Sequence, residues 1–398
     1  MATGTVFRRI SPTERMYFPM RDLAPPFLMQ LVFPGAGEID PERLREAVAI
    51  ASAACPGSRL VRRGRDWVDS GVPAAVRVIE DWSIDYDSLD GDPVVHSLIG
   101  PTDEATCEVL LLTTQPVTLI FRAFHGVMDG MGLVTWALAV LAALRGEEPE
   151  PMPDPVADQE LVRRVGAPGK PTLMLPKYRA AVGHGRQASG EPRHLLRRRT
   201  IAASAPGAVA KIAAILADRT PGTSRIMMPV DLRRHDPQLR STANLALPLF
   251  FDITAGTSWT EINEMKRAGL AQRLELNQMD NSGLADIPQP AGRALLHALN
   301  WLGARFGRNL ASATVSHMGR FDLDELATPG FRPTSVLILP QHSVAMPLLF
   351  GLMESGGKSE LTVSARNGRG VAERLDALLD RIVAGLEAAV PVDDESVR

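Results

Sequence analysis

Cysteine is scarce. Cys55 and Cys107 are the only two in 398 residues and form no Cys-x-x-Cys pair, so neither a disulfide framework nor a zinc site is indicated, and a reducing cytoplasm is the expected setting. An excess of either charge is missing too: 43 Lys and Arg against 46 Asp and Glu give a net charge of −3, which leaves no basic footprint for nucleic acid. Long hydrophobic runs are also absent. Leu133 to Leu144 is about 12 residues where a bilayer span needs about 20, so it predicts a buried helix and no membrane span. Met1 to Arg9 is polar and basic with no apolar run behind it, and no targeting segment is expected. No Gly-x-Ser-x-Gly elbow, His-Glu-x-x-His pair or Gly-x-Gly-x-x-Gly turn after a strand occurs, which sets aside the chemistries those motifs carry. Gly351 to Ser359 ends in Gly-Lys-Ser, but its first glycine is one position too far away for a phosphate loop, and a hairpin turn is predicted there.

What is present is a globular balance, 45% hydrophobic and 22% charged, in a chain longer than one core usually organises. The break falls where Glu147 to Pro155 runs together prolines and acids and where Gly166 to Pro192 is irregular. An N-terminal unit, 1–165, and a C-terminal unit, 166–398, are expected.

In chain order, Ser11 and Pro12 predict a capped helix start, Phe27 to Phe33 a strand, and Asp40 a cap for a helix with Leu44, Ala47, Val48 and Ala51 at helical spacing. Short strands are expected near Ser58 to Val61 and Ala75 to Val78. Thr106 to Thr113 should pair with Val117 to Phe121 across Thr114-Gln115-Pro116, which puts Arg122 to Gly130 at the end of an interior strand.

In the second half the pattern predicts strands at His194 to Ile201, Thr223 to Val230, Thr242 to Ile253, Ala313 to Gly319, Ser335 to Leu339, Pro347 to Met353 and Leu361 to Ala365. Helices are expected at Pro206 to Arg219, Thr260 to Leu276, Pro290 to Arg305 and Val371 to Ala389. Arg197, Arg198 and Arg199 have two readings, a phosphate or acidic-carrier contact and a solvated edge strand. His96, His184, His194, His235, His297 and His342 lack a motif and are expected to be surface or structural.

Chemistry concentrates in Phe121 to Gly130, where one imidazole, His125, is delivered at a strand-to-helix turn between glycines. Glycine lets the chain turn sharply and lets a substrate approach closely, as a general base needs when it must lie about 3 Å from the proton it removes. Asp129, four residues on, can brace the turn without blocking the ring, and a helix cap is compatible with the same position.

His-x-x-x-Asp-Gly after a strand resembles the active-site motif of the CoA-dependent acyltransferase superfamily, which includes chloramphenicol acetyltransferase, condensation domains and polyketide-associated acyltransferases. A second signature in the right order supports it: Val230-Asp231-Leu232-Arg233 resembles the family's V-[DN]-x-R segment, and Asn244 falls in the following G-N segment. Ser11-Pro12 and Ser316-His317-Met318-Gly319 resemble two further elements. The latter has histidine where the family has asparagine, a change that tunes acceptor recognition or simply leaves a satisfied polar residue at a strand end. Phe124 stands where peptide-forming condensation domains carry a first histidine, which points toward a stand-alone ester- or amide-forming transferase.

The resemblance implies an α/β fold of two chloramphenicol-acetyltransferase-like subdomains in a V, with a tunnel between them. It implies His125 as general base, an Arg233–Asp129 ion pair, and Asp129, Gly130, Arg233 and Asn244 as motif-supporting residues. Ser316 and His317 are candidates for substrate or oxyanion contact. The implied substrates are a thioester donor, as acyl-CoA or on an acyl carrier protein, and a small-molecule acceptor, with no permanently bound cofactor, no metal and a monomeric chain. Apolar Asn244 to Phe251 and Val344 to Phe350 predict a hydrophobic acceptor. Epimerisation, dehydration or cyclisation of a carrier-bound intermediate, and a binding module without turnover, are the other uses of such a fold.

Overall fold

A computed structural model describes residues 5–87, 89–187, 189–279 and 288–388. The chain opens with β1 (Thr5–Arg9) and α1 (Pro12–Leu23), whose first turn is closed by a reciprocal Ser11–Glu14 capping box. β2 (Leu28–Gly37) leads to α2 (Pro41–Ala54), capped by Asp40, and then to β3 (Leu60–Arg63), β4 (Asp66–Asp69) and β5 (Ala75–Ile79). β6 (Cys107–Leu112) and β7 (Val117–Phe124) form the expected antiparallel pair, and α3 (Gly130–Leu144) comes next. α4 (Asp158–Val165) closes the first half.

The second half runs β8 (His194–Ile201), α5 (Ala208–Asp218), β9 (Ser224–Asp231), β10 (Ala246–Ile253), α6 (Trp259–Ala271), α7 (Gln289–Phe306) and β11 (Ala313–Phe321). It finishes with β12 (Phe331–Pro333), β13 (Leu337–Leu339), β14 (Leu348–Ser355), β15 (Lys358–Arg366) and α8 (Val371–Glu387). Ala389, the last residue of the expected C-terminal helix, lies outside the described residues.

β4 went unread in the sequence because Asp-Trp-Val-Asp offers only two apolar positions. Its signal is the turn before it, where Gly64 takes a positive φ and folds β4 back on β3. The helix expected over Thr260 to Leu276 stops at Ala271, since Arg273 has φ 54° and the chain continues as a 3₁₀ helix, Leu274–Met279.

Two large sheets organise these elements. In one the order is β12-β2-β7-β6-β5, with β13 also on β2, and β7 is interior. α2 and α3 cover one face of it through Leu44, Val48, Leu133, Trp136 and Val140, packed on Leu119 and Phe121. The segment bearing Val94 and Val95 covers the other face, fixed by Gln30 Nε2 donating to the Val95 carbonyl (2.9 Å) and by buried Arg122, which bonds Ser97 and Glu108. The other large sheet has the order β10-β9-β11-β14-β15-β8, backed by α5, α6 and α8. A small sheet, β1-β4-β3, completes the set.

One connection is not legible in the sequence. β12 and β13, flanked in the chain by strands of the second sheet, pair antiparallel with β2 of the first, Phe331 to Pro333 against Gly35 to Gly37 and Leu337 to Leu339 against Gln30 to Val32. Thr362 Oγ1 of β15 then donates to the Ile338 carbonyl (2.5 Å), tying the sheets together.

Arg122 supplies a stability test. Arg122→Met leaves Glu108 buried with only the 3.3 Å contact of Arg77, and breaking a buried pair costs about 3–5 kcal/mol. Urea unfolding of the single variant should show a loss toward the lower end of that range, and Arg122→Met with Glu108→Gln should recover part of it.

Candidate active site

The strand-to-helix turn holds His125 at the wall of a cavity of about 450 Å³ between the two large sheets. β7 supplies the approach, and α3 begins at Gly130 with Asp129 as its N-cap, the Asp129 carboxylate accepting from the Gly132 N–H at 2.7 Å. The flanking glycines serve close packing at this turn. A Cβ on Gly126 would meet the Phe124 ring at 2.4 Å, and one on Gly132 would meet the Thr242 carbonyl oxygen at 2.2 Å.

His125 Nδ1 lies 3.2 Å from the Met128 carbonyl oxygen. A carbonyl only accepts, so Nδ1 carries the proton and Nε2 keeps its lone pair. Burial lowers the His125 pKa from the ordinary histidine value, against the opposing pull of the Met128 carbonyl and the Asp129 charge, so the ring is neutral at neutral pH. Tyr17 stacks on it, with centroids 4.8 Å apart and planes at 20°, and Phe27 lies at 6.1 Å.

Asp129 and Arg233 meet across the two halves. Arg233 Nη1 donates to Asp129 Oδ2 at 3.0 Å and to Asp231 Oδ1 at 2.8 Å, while Nε and Nη2 bond the carbonyls of Ser241 (2.8 Å) and Ala243 (2.7 Å). The Leu245 N–H donates to Asp129 Oδ2 at 2.6 Å. Ion pair and helix cap are thus made by one carboxylate. Burial works against the guanidinium charge, but Asp129 and Asp231 hold its pKa above the ordinary arginine value. Asp129 has no acceptor capacity to spare for proton transfer; it is a brace.

Asn244 is buried and lines the cavity, and its side-chain amide hydrogen-bonds the Tyr17 hydroxyl, which works against the effect of burial on that phenol. Gly130 lies in the wall next to Met29 and Met318. Ser316 is also in the wall, with its hydroxyl 3.4 Å from the Met318 sulfur. His317 Nε2 is 3.0 Å from Glu354 Oε1, a carboxylate shared with Arg320. Phe124 is core: it packs on Phe18 (5.3 Å) and Trp67 (6.4 Å).

Sequence reading missed Tyr17 and the methionines. Thr13, Tyr17 and Met20 fall at i, i+4 and i+7 on α1, a face that helical periodicity would have identified, and all three line the cavity. Met20, Met29, Met131, Met227, Met318 and Met346 also line it, six of the chain's 15 methionines, so the wall is soft and adaptable. These come from separate elements, and no local pattern gathers them. The arginine run of β8 is the edge strand of its sheet and is matched to acids: Arg197 to Asp90, Arg198 to Glu360, and Arg199 to Asp376 and Asp380.

No family model matches the sequence, and no curated protein does. Solved structures do match, over nearly the whole chain. Polyketide synthase associated protein 5 from Mycobacterium tuberculosis aligns at TM-score 0.64 and 15% identity, over 96% of this chain and 98% of its own. The condensation domain from monacolin K polyketide synthase aligns at 0.62 and 13%, over 96% of each chain. The starter condensation domain of rhizomide synthetase, solved in complex with C8-CoA, aligns at 0.63 and 16%, over 98% and 97%. The chain therefore has the chloramphenicol-acetyltransferase-like fold of condensation and acyltransferase domains, an α/β fold of two such subdomains. No helix among the described residues is long and apolar enough to cross a membrane.

The brace can be tested by a thermodynamic cycle. Arg233→Ala should destabilise the chain by about 3 kcal/mol or more, because it leaves the buried Asp129 carboxylate without its counter-ion, and Asp129→Ala should cost less, because Arg233 keeps its 2.8 Å bond to Asp231. The double variant should lose less than the sum, by about 0.5–3 kcal/mol in urea melts. Additive losses would refute a direct coupling.

Proposed function

We propose that this protein is an acyltransferase that moves an acyl group from a thioester, acyl-CoA or acyl carrier protein, to a hydroxyl or amine of a hydrophobic small molecule in specialised-metabolite or lipid biosynthesis. The observation that carries this reading is a neutral imidazole with a free Nε2 in a mostly apolar cavity large enough for two substrates' reacting ends. His125 Nε2 takes the acceptor's proton as the acceptor oxygen or nitrogen attacks the thioester carbonyl. Collapse of the tetrahedral intermediate breaks the carbon–sulfur bond, and the thiolate leaves with the proton returned by His125. The Asn244 amide, in the cavity wall beside the Tyr17 hydroxyl, is suited to hold the oxyanion, a contribution of about 3–4 kcal/mol per donor where such a donor acts. Ser316 is a second donor in the same wall.

Tyr17 orients the ring. Burial pushes its phenol up to about 12, so it stays protonated and takes no part as an acid–base group near neutrality. The methionine-lined wall favours an acceptor that is apolar and variable in shape. We propose 1–165 and 166–398 as the two working halves, with His125 from the first and Arg233, Asn244 and Ser316 from the second.

His125→Ala should abolish free-thiol release from a panel of acyl thioesters by about 10²-fold or more while leaving the unfolding midpoint unchanged. Activity within about threefold of the parent would sink the assignment. A parent that consumes carrier-bound substrate without releasing thiol would instead favour epimerisation, dehydration or cyclisation.

The pH profile gives an independent check. A base with a depressed pKa is deprotonated above that value, so kcat/KM should rise with pH along one limb centred below about 6.5 and stay flat through pH 8. A limb centred above 7 would mean that the imidazole is not the group described.

A further inference from the structure

Acidic residues are missing from two long stretches of this chain, 161–190 and 289–321. At 46 acids in 398 residues, each stretch would ordinarily hold about three or four. Lys177 and Arg179 are among the cations of the first, and Arg293, Arg305 and Arg308 among those of the second, so both are basic in a chain whose net charge is −3.

The fold brings the two together. α7 ends at Phe306, and three residues on Asn309 forms an antiparallel bridge with Tyr178, with backbone N–H to carbonyl distances of 2.9 and 3.1 Å. Arg308 Nη1 also donates to the Lys177 carbonyl at 2.9 Å. The extended segment here alternates: Tyr178 and Ala180 are buried, while Leu173, Leu175, Lys177 and Arg179 are exposed.

α7 is anchored through its inner side. Leu296 is buried with Ala24 and Val344, and Leu299 joins Met20 and Leu23 of α1 around them. The outer face runs Leu295, Ala298, Trp301 and Arg305 at steps of three and four residues, all exposed, with Phe306 edge-on to Trp301 at 5.3 Å. Leu173, at 72%, and Trp301, at 59%, are the most exposed of the five large apolar side chains that the two stretches leave in water.

The charge of this face is positive and largely free. Asp252 is taken by Arg225 (2.7 Å) and the Tyr178 hydroxyl (3.1 Å), and Asp22 faces Arg293 at 3.8 Å. Lys177, Arg179 and Arg305 have no carboxylate partner among the described residues. Apolar tips interleaved with unpaired cations suit a lipid headgroup layer, where cations meet phosphates and leucine, tryptophan and phenylalanine pass beneath them.

We propose that the outer face of α7 and the 173–179 segment dock on an anionic lipid bilayer. A protein partner would have to offer a matching groove to tips that project along about 27 Å of helix, whereas a bilayer accepts them in any register. The docking stands apart from the acyl-transfer reading.

The test is co-sedimentation of the full chain with vesicles of phosphatidylcholine containing about one third phosphatidylserine, beside vesicles of phosphatidylcholine alone. Partition onto the anionic vesicles should be at least about tenfold stronger, and should fall at least about tenfold between about 0.05 M and 0.5 M salt. Lys177→Glu with Arg179→Glu should weaken it at least about tenfold, as should Leu295→Ser with Phe306→Ser, with unfolding midpoints unchanged. Trp301→Phe should bind as the parent does, yet lose most of the quenching of tryptophan emission by lipids brominated in the acyl chain. Equal partition onto both vesicles, partition undiminished in either double variant, or quenching unchanged in Trp301→Phe overturns the proposal. So does binding of an acidic carrier protein, lost in the Lys177 and Arg179 variant, by a chain that leaves vesicles unbound. Should partition follow as described while no thioester releases thiol, the docking stands and the acyl-transfer reading falls.

Discussion

The carboxylate of Asp129 is where the two halves of the chain are joined to the chemistry. It receives the Gly132 amide from its own helix, the Leu245 amide from the opposite half, and the Arg233 guanidinium, which is itself fixed by two carbonyls of the 241–243 segment. Every bond the carboxylate accepts is spent on position. With His125 only four residues away on the same tight turn, the imidazole is placed relative to the second half as firmly as to the first. Gly132 shows how little slack there is, since even a methyl group there would collide with the Thr242 carbonyl.

That rigidity contrasts with the space it serves. The His125 imidazole is held by a carbonyl on one nitrogen and by stacked rings on its face, while the walls around it include six thioethers with three rotatable bonds each. Under the proposed acyl transfer, a fixed imidazole in an adaptable container suits constant chemistry on acceptors that vary in outline. It also separates two demands that compete elsewhere, because the wall can give without moving Nε2.

Most of the architecture was legible because local patterns carried it: the Ser11 and Asp40 caps, the paired strands before His125, and the apolar helix after it all form as their sequences indicate. The ion pair was legible through two short motifs in order. What was hidden depends on long-range juxtaposition. Six methionines from separate elements meet in one wall, and His96, His342 and His194, each without a motif, form a column of rings at 5.4 and 4.4 Å. Nothing local to any of them records the other two. The arginines show the same limit: the conspicuous run at 197–199 is consumed by neighbouring acids, while those at 186, 193, 305 and 366, without a carboxylate partner among the described residues, are scattered in the sequence and adjacent in space.

The return of residues 331–339 to the edge of β2 makes the halves topologically dependent. Without those two strands β2 would present its backbone groups along Gln30 to Val32 and Gly35 to Gly37 as an open edge, a template for pairing with other chains. Phe331, Val336 and Ile338 would leave the apolar core of the first half at the same time. During synthesis the first half must therefore wait, incomplete, until most of the second has emerged. The same strap that delays completion ties the finished halves together, since an edge of the first sheet is built from a segment that the chain sends over from between two strands of the second.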